Sequence, residues 1–383
     1  MLRFLTAGES HGPGLVAVVE GLPSGIEATA EGLAAQLARR RLGHGRGRRM
    51  RVERDEFEIL GGVRFGRTTG GPVAVVVRNS EWPAWQAEMS AAPGSSESPV
   101  GSPRPGHADL AGMLKYDTHD ARDILERASA RETAARAVVG WLSGTLLAEI
   151  GVEVLSHVVA IGGVAATPDP APGPGDRSAV DASPVRTFDR EAEAEMMAVI
   201  DAARAGGDTV GGVVEVAAHS VPAGLGSHVH WDRRIDARIA AALMSIPSVK
   251  GVEIGSGFGV ASERGSGAHD GIEHGEGGFI RTSNRAGGVE GGITNGSVVV
   301  ARAHMKPLST LMRPLASVDV VTKAPGPAAR ERSDVCSVPA AGVIGEHMLS
   351  FVLADEALRK FGGDTVSDFT GSVAAYRRRL EAF

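Results

Sequence analysis

Two histidines stand in glycine-bounded turns, His11 in Gly8-Glu9-Ser10-His11-Gly12 and His107 in Arg104-Pro105-Gly106-His107-Ala108-Asp109. Such turns present a side chain rather than bury it, and imidazole gives and takes protons near neutral pH. Each is one of twelve histidines, so the plain alternative for either is a surface or packing residue. A second feature is electrostatic. Eight arginines fall between Arg39 and Arg54, opposed before Asp55 only by Glu53, and Gly43, Gly45 and Gly47 are interleaved among them. Guanidinium forks bind phosphate and carboxylate bidentately, and glycine lets a ligand come close. Arg40, Arg46 and Arg49 therefore suit a small ligand with several negative charges. The competing readings are a solvated basic face and a nucleic-acid contact. No aromatic residue lies between these arginines, so stacking on single-stranded bases is poorly supported.

Four further segments carry reactive or ligand-binding residue types. Arg127 and Arg131 are four apart and share a face if helical, with pairing of Asp123 and Arg127 as the ordinary alternative. Residues 283–296 are too rich in glycine for a core element, yet Val289 and Ile293 argue against a purely solvated loop. Lys306-Pro307-Leu308-Ser309-Thr310 offers an ammonium and two hydroxyls to a phosphate. Asp334, in Arg332-Ser333-Asp334, precedes an apolar helical pattern and reads by default as its cap.

These groups need a scaffold, and hydrophobic periodicity outlines one. Strands are expected at 14–21, 57–63, 72–78, 152–161, 210–217 and 298–304. Helices are expected at 31–41, 121–150, 191–204, 236–244, 340–361 and 366–380. Residues 92–105 read as a loop. Residues 163–184, rich in proline, alanine and aspartate, read as a surface excursion from a single domain spanning 1–383. Regular helices are not expected between Gly251 and Gly296.

Composition narrows the function classes. The net charge of −6 gives no general bias toward nucleic acid, and 43% hydrophobic residues suffice for an ordinary core. No apolar run is long enough to span a membrane, and the first residues do not read as a secretory leader. The lone Cys336 suits a reducing cytoplasm. There is no GxGxxG between a strand and a helix, no Walker lysine loop, no paired-cysteine site and no HExxH. Dinucleotide-fold dehydrogenases and metalloenzymes are disfavoured, and no metal ligands are assigned.

Taken in order, GESHG (8–12), RRRLGHGRG (39–47), RPGHAD (104–109), RASARET (127–133), SNRAGG with GGITNG (283–296) and RSDVC (332–336) resemble the chorismate synthase family. The likeness runs on to KFGGD (360–364), over essentially the whole chain. It implies an α+β fold with a helical core between antiparallel sheets. It also implies a 1,4-anti elimination of phosphate from 5-enolpyruvylshikimate 3-phosphate to give chorismate, with reduced FMN required and regenerated.

By the same resemblance His11 matches a histidine at the leaving phosphate, His107 one that meets the reduced flavin, and Asp334 an aspartate near flavin N5. Arg40, Arg46, Arg49 and Arg104 are the substrate candidates. Arg127, Ala128, Ser129, Gly291, Lys306, Pro307, Leu308, Ser309, Thr310 and Arg332 match flavin-binding positions. Pro247-Ser248 departs from the Gln-Ala of many relatives, and proline removes a donor there. The family assembly is a homotetramer. Some relatives reduce their own flavin with NADPH and most bacterial ones rely on an external reductant, such as a separate flavin reductase. This chain has no evident added reductase domain. An FMN oxidoreductase with net electron transfer and an RNA-binding module are the rival readings.

Overall fold

Valine-rich segments that alternate buried and exposed positions build the first sheet. The computed structural model describes residues 1–47, 53–167, 170–275 and 278–383. Strands β1 (Arg3–Ala7), β2 (Gly14–Glu20), β3 (Phe57–Gly61) and β4 (Val73–Arg78) form an antiparallel sheet in the order β1-β2-β4-β3. The register sets Val18 opposite both Leu5 and Ala74. Successive side chains of a strand point to opposite faces. Leu15, Ala17 and Val19 of β2 and Val73, Val75 and Val77 of β4 thus line one face, and all are buried.

The second sheet has the order β8-β9-β7-β5-β6 and is also antiparallel. Its strands are β5 (Glu153–Ile161), β6 (Val164–Ala165), β7 (Gly212–His219), β8 (Val249–Ile254) and β9 (Val299–Met305). Val214, Val216, Ala218, Val299, Ala301 and Ala303 form its core face.

Helices fill the space between the sheets. They are α1 (Ala30–Arg41), α2 (Asp109–Tyr116), α3 (Arg122–Ala128), α4 (Thr133–Ala148), α5 (Arg190–Gly206), α6 (Ile235–Met244), α7 (Val338–Phe361) and α8 (Val366–Glu381). Helix α4 packs on β2 and β4, α7 packs on β5 and β7, and the two helices pack on each other. Nearly all of α7 is buried, including Glu346, Asp355 and Glu356, which are paired with arginines. Each fully buried Leu or Val there contributes about 1.5–3 kcal/mol. The helices touch closely at Gly140, where a Cβ would lie 2.2 Å from side-chain atoms of His347. This is the α+β arrangement expected, with helices between two antiparallel sheets.

Three local expectations need correction. The helical pattern of 121–150 is broken, because Ser129 is extended (ψ 140°) and its hydroxyl accepts from Arg131 N, starting a short 3-10 turn before α4. A serine that caps its own following turn ends a helix even among good helix formers. Within 251–296 a 3-10 turn (Gly257–Ser262) and one turn of α-helix (Gly265–Ala268) do form. Finally, Asp334 does not cap α7. Ser337 occupies the N-cap and gives no side-chain hydrogen bond, with proline in the first turn. Segment 163–184 contains β6 and a short helix, Arg177–Ala182, whose Val180 is buried. No helix among the described residues is long and apolar enough to cross a membrane.

Candidate active site

The turn between β1 and β2 carries His11 and is tied down on several sides. The Asn79 amide donates to the carbonyls of Glu9 (2.9 Å) and Gly12 (2.8 Å). Ser10 N donates to the Glu126 carbonyl (3.0 Å), and His11 N donates to the Glu126 carboxylate (2.9 Å). The imidazole Nδ1 lies 2.9 and 3.0 Å from the two carboxylate oxygens of Glu126. Trp85 stacks on the ring, centroids 4.1 Å apart. Nε2 is 4.0 Å from Glu81, which accepts from Arg332 at 2.6 Å. Arg122 donates to Glu126 (2.9 Å) and lies over the Trp85 ring at 4.9 Å. Burial pushes the Glu126 carboxyl up, but the hydrogen bond and charge of His11, the His11 amide and Arg122 outweigh it and hold it below the usual carboxylate range.

Beneath this turn lies a buried charge network. Arg131 donates to Asn79 Oδ1 (2.9 Å) and to Asp55, and Arg40 pairs with Asp55 at 3.1 Å. Burial pushes Arg40 down to about 10, partly offset by Asp55, with Arg131 and Arg46 adding to the lowering. Burial pushes Asp55 up, yet Arg40 and Arg131 together leave its carboxyl depressed. Arg40 thus holds the framework, with only 3% of its surface exposed.

The glycine-spaced loop after α1 docks on residues 333–336. Gly45 O accepts from Val335 N (2.8 Å), and a Cβ on Gly45, whose φ is +92°, would lie 2.9 Å from Cys336 Cβ. Arg46 pairs with Asp334 at 2.6 Å, and Gly47 N donates to Asp334 at 2.6 Å. Arg46 Nε is buried and has no hydrogen-bond partner among the described residues. Arg49 lies outside the described residues.

A second group surrounds His107. Its Nδ1 is 2.5 Å from the buried Asp109 carboxylate, and Arg104 donates to Asp109 (2.8 Å) and Thr310 Oγ1 (2.8 Å). Burial raises the Asp109 carboxyl, but the hydrogen bonds and charges of His107 and Arg104 hold it well below its ordinary range. Lys306 Nζ donates to Gly106 O (2.7 Å), and burial and then Lys250 push its ammonium down. Lys306 N donates to Ser248 O (3.0 Å), and Thr209 donates to Leu308 O (2.7 Å). Ser248, beside Pro247, has φ +71°. Pro307 and Ser309 complete this stretch.

The polar contacts therefore gather the candidates into two groups. One holds His11, linked to Arg332 through Glu81, together with the pair of Arg46 and Asp334, the latter two residues beyond Arg332 along the chain. Arg127 joins it by donating to Gly8 O (3.1 Å) and Thr6 O (3.0 Å), rather than pairing with Asp123. Ala128 and Ser129 follow at the end of α3. His107, Arg104, 306–310 and 247–248 form the other. Gly291 joins neither by such a contact; it sits at φ +57° in the Val289–Thr294 hairpin with open space at its Cβ position. Sequence reasoning passed over Glu126, Asn79, Asp55 and Trp85. Glu126 lies inside a helical pattern where an acidic residue is unremarkable, and Asp55 only closed the arginine run. The available signal was that a buried arginine run must find buried carboxylates nearby.

Residues 2–358 match the family model described as chorismate synthase. The chain belongs to the chorismate synthase family. It is 57% identical to the chorismate synthase of Acidothermus cellulolyticus, covering 98% of each chain, and 56% identical to that of Thermobifida fusca, again with 98% of each covered. A crystal structure of chorismate synthase superposes with a TM-score of 0.80 at 40% identity, covering 100% of this chain and 99% of that one. The chain is thus a chorismate synthase family enzyme, a lyase acting on a phosphate ester in the shikimate pathway.

Proposed function

We propose that the whole chain acts as one catalytic domain that eliminates phosphate from 5-enolpyruvylshikimate 3-phosphate in the 1,4-anti sense. The observation that carries this reading is the tie between His11 and Glu126. With Nδ1 held by a buried carboxylate, Nε2 is the ring nitrogen assigned to deliver a proton to a departing phosphate oxygen. Arg46, with Arg49 and Arg104, is the candidate for the substrate's carboxylates and phosphate; its Nε, without a hydrogen-bond partner among the described residues, suits an anionic group at that point. Arg40 supports them from beneath.

The residues fit a reduced FMN with the same logic. Lys306, Thr310, Ser309 and Arg332 offer cations and hydroxyls to its phosphate and ring edge. Arg127 with Ala128 and Ser129, Pro247 with Ser248, Pro307, Leu308 and the open Gly291 supply surfaces around it. Reduced FMN held there would supply transient electron donation toward the breaking C–O bond and an acceptor for the C6 hydrogen. The protein contributes orientation and proton placement: His107, fixed by Asp109, toward the flavin, and Asp334, carried beside Arg46, near N5.

The outer face of the first sheet carries Leu5, Val18 and Ala74 in one cross-strand row and the exposed Leu60. An uncovered apolar sheet face supports self-association, and we propose a homotetramer. We further propose a cytoplasmic enzyme supplied by an external flavin reductase, with NADPH as the source of reducing equivalents. An anaerobic assay with reduced FMN and substrate tests the function. Phosphate release over many turnovers per flavin, without net flavin oxidation, is expected; stoichiometric flavin oxidation would favour an ordinary oxidoreductase. His11→Ala and His107→Ala should each lower turnover by about 10²–10⁴.

A further inference from the structure

Glu126 is a buried carboxylate with no surface of its own to serve. Its side chain does three things at once: it accepts from His11 N, spans His11 Nδ1 with both oxygens, and accepts from Arg122. Its backbone carbonyl accepts from Ser10 N. Rotating the imidazole would give up its contact with Glu126 and its stack on Trp85, while the same carboxylate also holds the backbone that carries the ring. We infer that Glu126 is the positioning residue for His11, holding the proton on Nδ1 so that Nε2 alone exchanges a proton with the substrate. The inference rests on the reading of His11 as the proton donor to phosphate.

The chemistry follows from donor and acceptor roles. An ionised carboxylate only accepts, so Nδ1 must carry hydrogen in both charge states of the ring. In the charged ring the Nε2–H bond breaks and an O–H bond forms on the leaving phosphate. The ring is left neutral with hydrogen on Nδ1, the tautomer that Glu126 accepts from. No rotation or second proton shift intervenes. Among the described residues the charged groups around the ring include Glu126 with Arg122 behind it and Glu81 with Arg332 behind it; Trp85 covers one face. The other group differs: His107 Nδ1 meets both the Asp109 carboxylate and, at 3.0 Å, the Arg104 guanidinium, which can only donate.

The test is Glu126→Gln, which keeps the length and an accepting oxygen but removes the charge. We expect kcat to fall about tenfold or more, short of the full loss for a missing acid–base group, with KM little changed. The alkaline limb of the kcat profile should move to lower pH, because the charged ring loses its counter-charge. Unchanged kcat and pH profile in Glu126→Gln, with His11→Ala inactive, would overturn the positioning role and leave the proton-donor reading standing. Full turnover in His11→Ala would overturn that reading itself. If Glu126→Gln fails to fold, 15N resonances of the unsubstituted enzyme decide: neutral His11 should carry its hydrogen on Nδ1, and an Nε2–H tautomer would sink the proposal.

Discussion

Asp334 pairs with Arg46 at 2.6 Å and accepts from Gly47 N at the same distance, joining the glycine-spaced arginine loop to the segment just before α7. One residue was read as a substrate contact and the other as a flavin neighbour. Their direct contact means that a ligand engaging either one alters the environment of the other.

Asp334→Asn separates geometry from charge. Asparagine can still accept from Gly47 N, and α7 does not use this side chain as a cap. Because Arg46 loses its counter-charge, stability should fall by about 1.5–3 kcal/mol. The rate in an anaerobic single-turnover assay should fall strongly. Full activity would remove Asp334 from the reaction.

Arg46→Ala should weaken substrate binding by about 1.5–3 kcal/mol, the scale of a charge-assisted contact, and flavin binding much less. Titration of each ligand separately checks this. A loss confined to flavin would assign the loop to the other ligand. Binding of oxidised FMN should also tighten when substrate is present, since each group holds candidates for both ligands, Arg46 beside Asp334 in one and Arg104 beside Thr310 in the other.

His347 offers a pH prediction. Burial lowers it from 6.5 to about 3, partly offset by Glu346. The folded protein keeps the ring neutral where the unfolded chain would take up a proton. The stability this contributes is complete above about pH 6.5 and is lost progressively as pH falls toward the folded value. Between about pH 7.5 and about pH 5, above the ordinary carboxylate range, the melting temperature should fall more for the parent than for His347→Gln. Equal falls would mean that this ring takes up its proton in the folded state.

Gly140→Ala should destabilise by about 1–3 kcal/mol or more, the cost of overpacking a core. The added methyl would meet the His347 ring where α4 crosses α7. Chemical denaturation measures it. A neutral result would mean that the two helices can separate cheaply.

Much of the framework was legible because periodicity reports burial directly. The strands at β2, β4, β5 and β9 and the helices α1, α5 and α7 have patterns that only one face, or a full core, can satisfy. The break at Ser129 was not legible. The surrounding residues favour helix, and only a side-chain hydrogen bond to Arg131 N ends it. The candidate site shows the same divide. Glycine-bounded histidines announce themselves, whereas Glu126 and Asn79 matter through contacts across long stretches of chain that no local pattern records. Asp334 illustrates a competing rule: position before a helix suggested a cap, but an arginine 288 positions earlier (334 − 46) claimed it through an ion pair.

The arginine run has a consequence at the bench. Arg39 is held by Glu346 and Asp181, Arg40 and Arg41 by Asp55, and Arg46 by Asp334. Cations matched inside the molecule offer little to an extended polyanion, which cannot enter where a small ligand can. With a net charge of −6, the protein should pass through a heparin or phosphocellulose column at neutral pH and be retained by an anion exchanger. Chromatography would then report the charge on the outside of the molecule, which the spelling of residues 39–46 conceals.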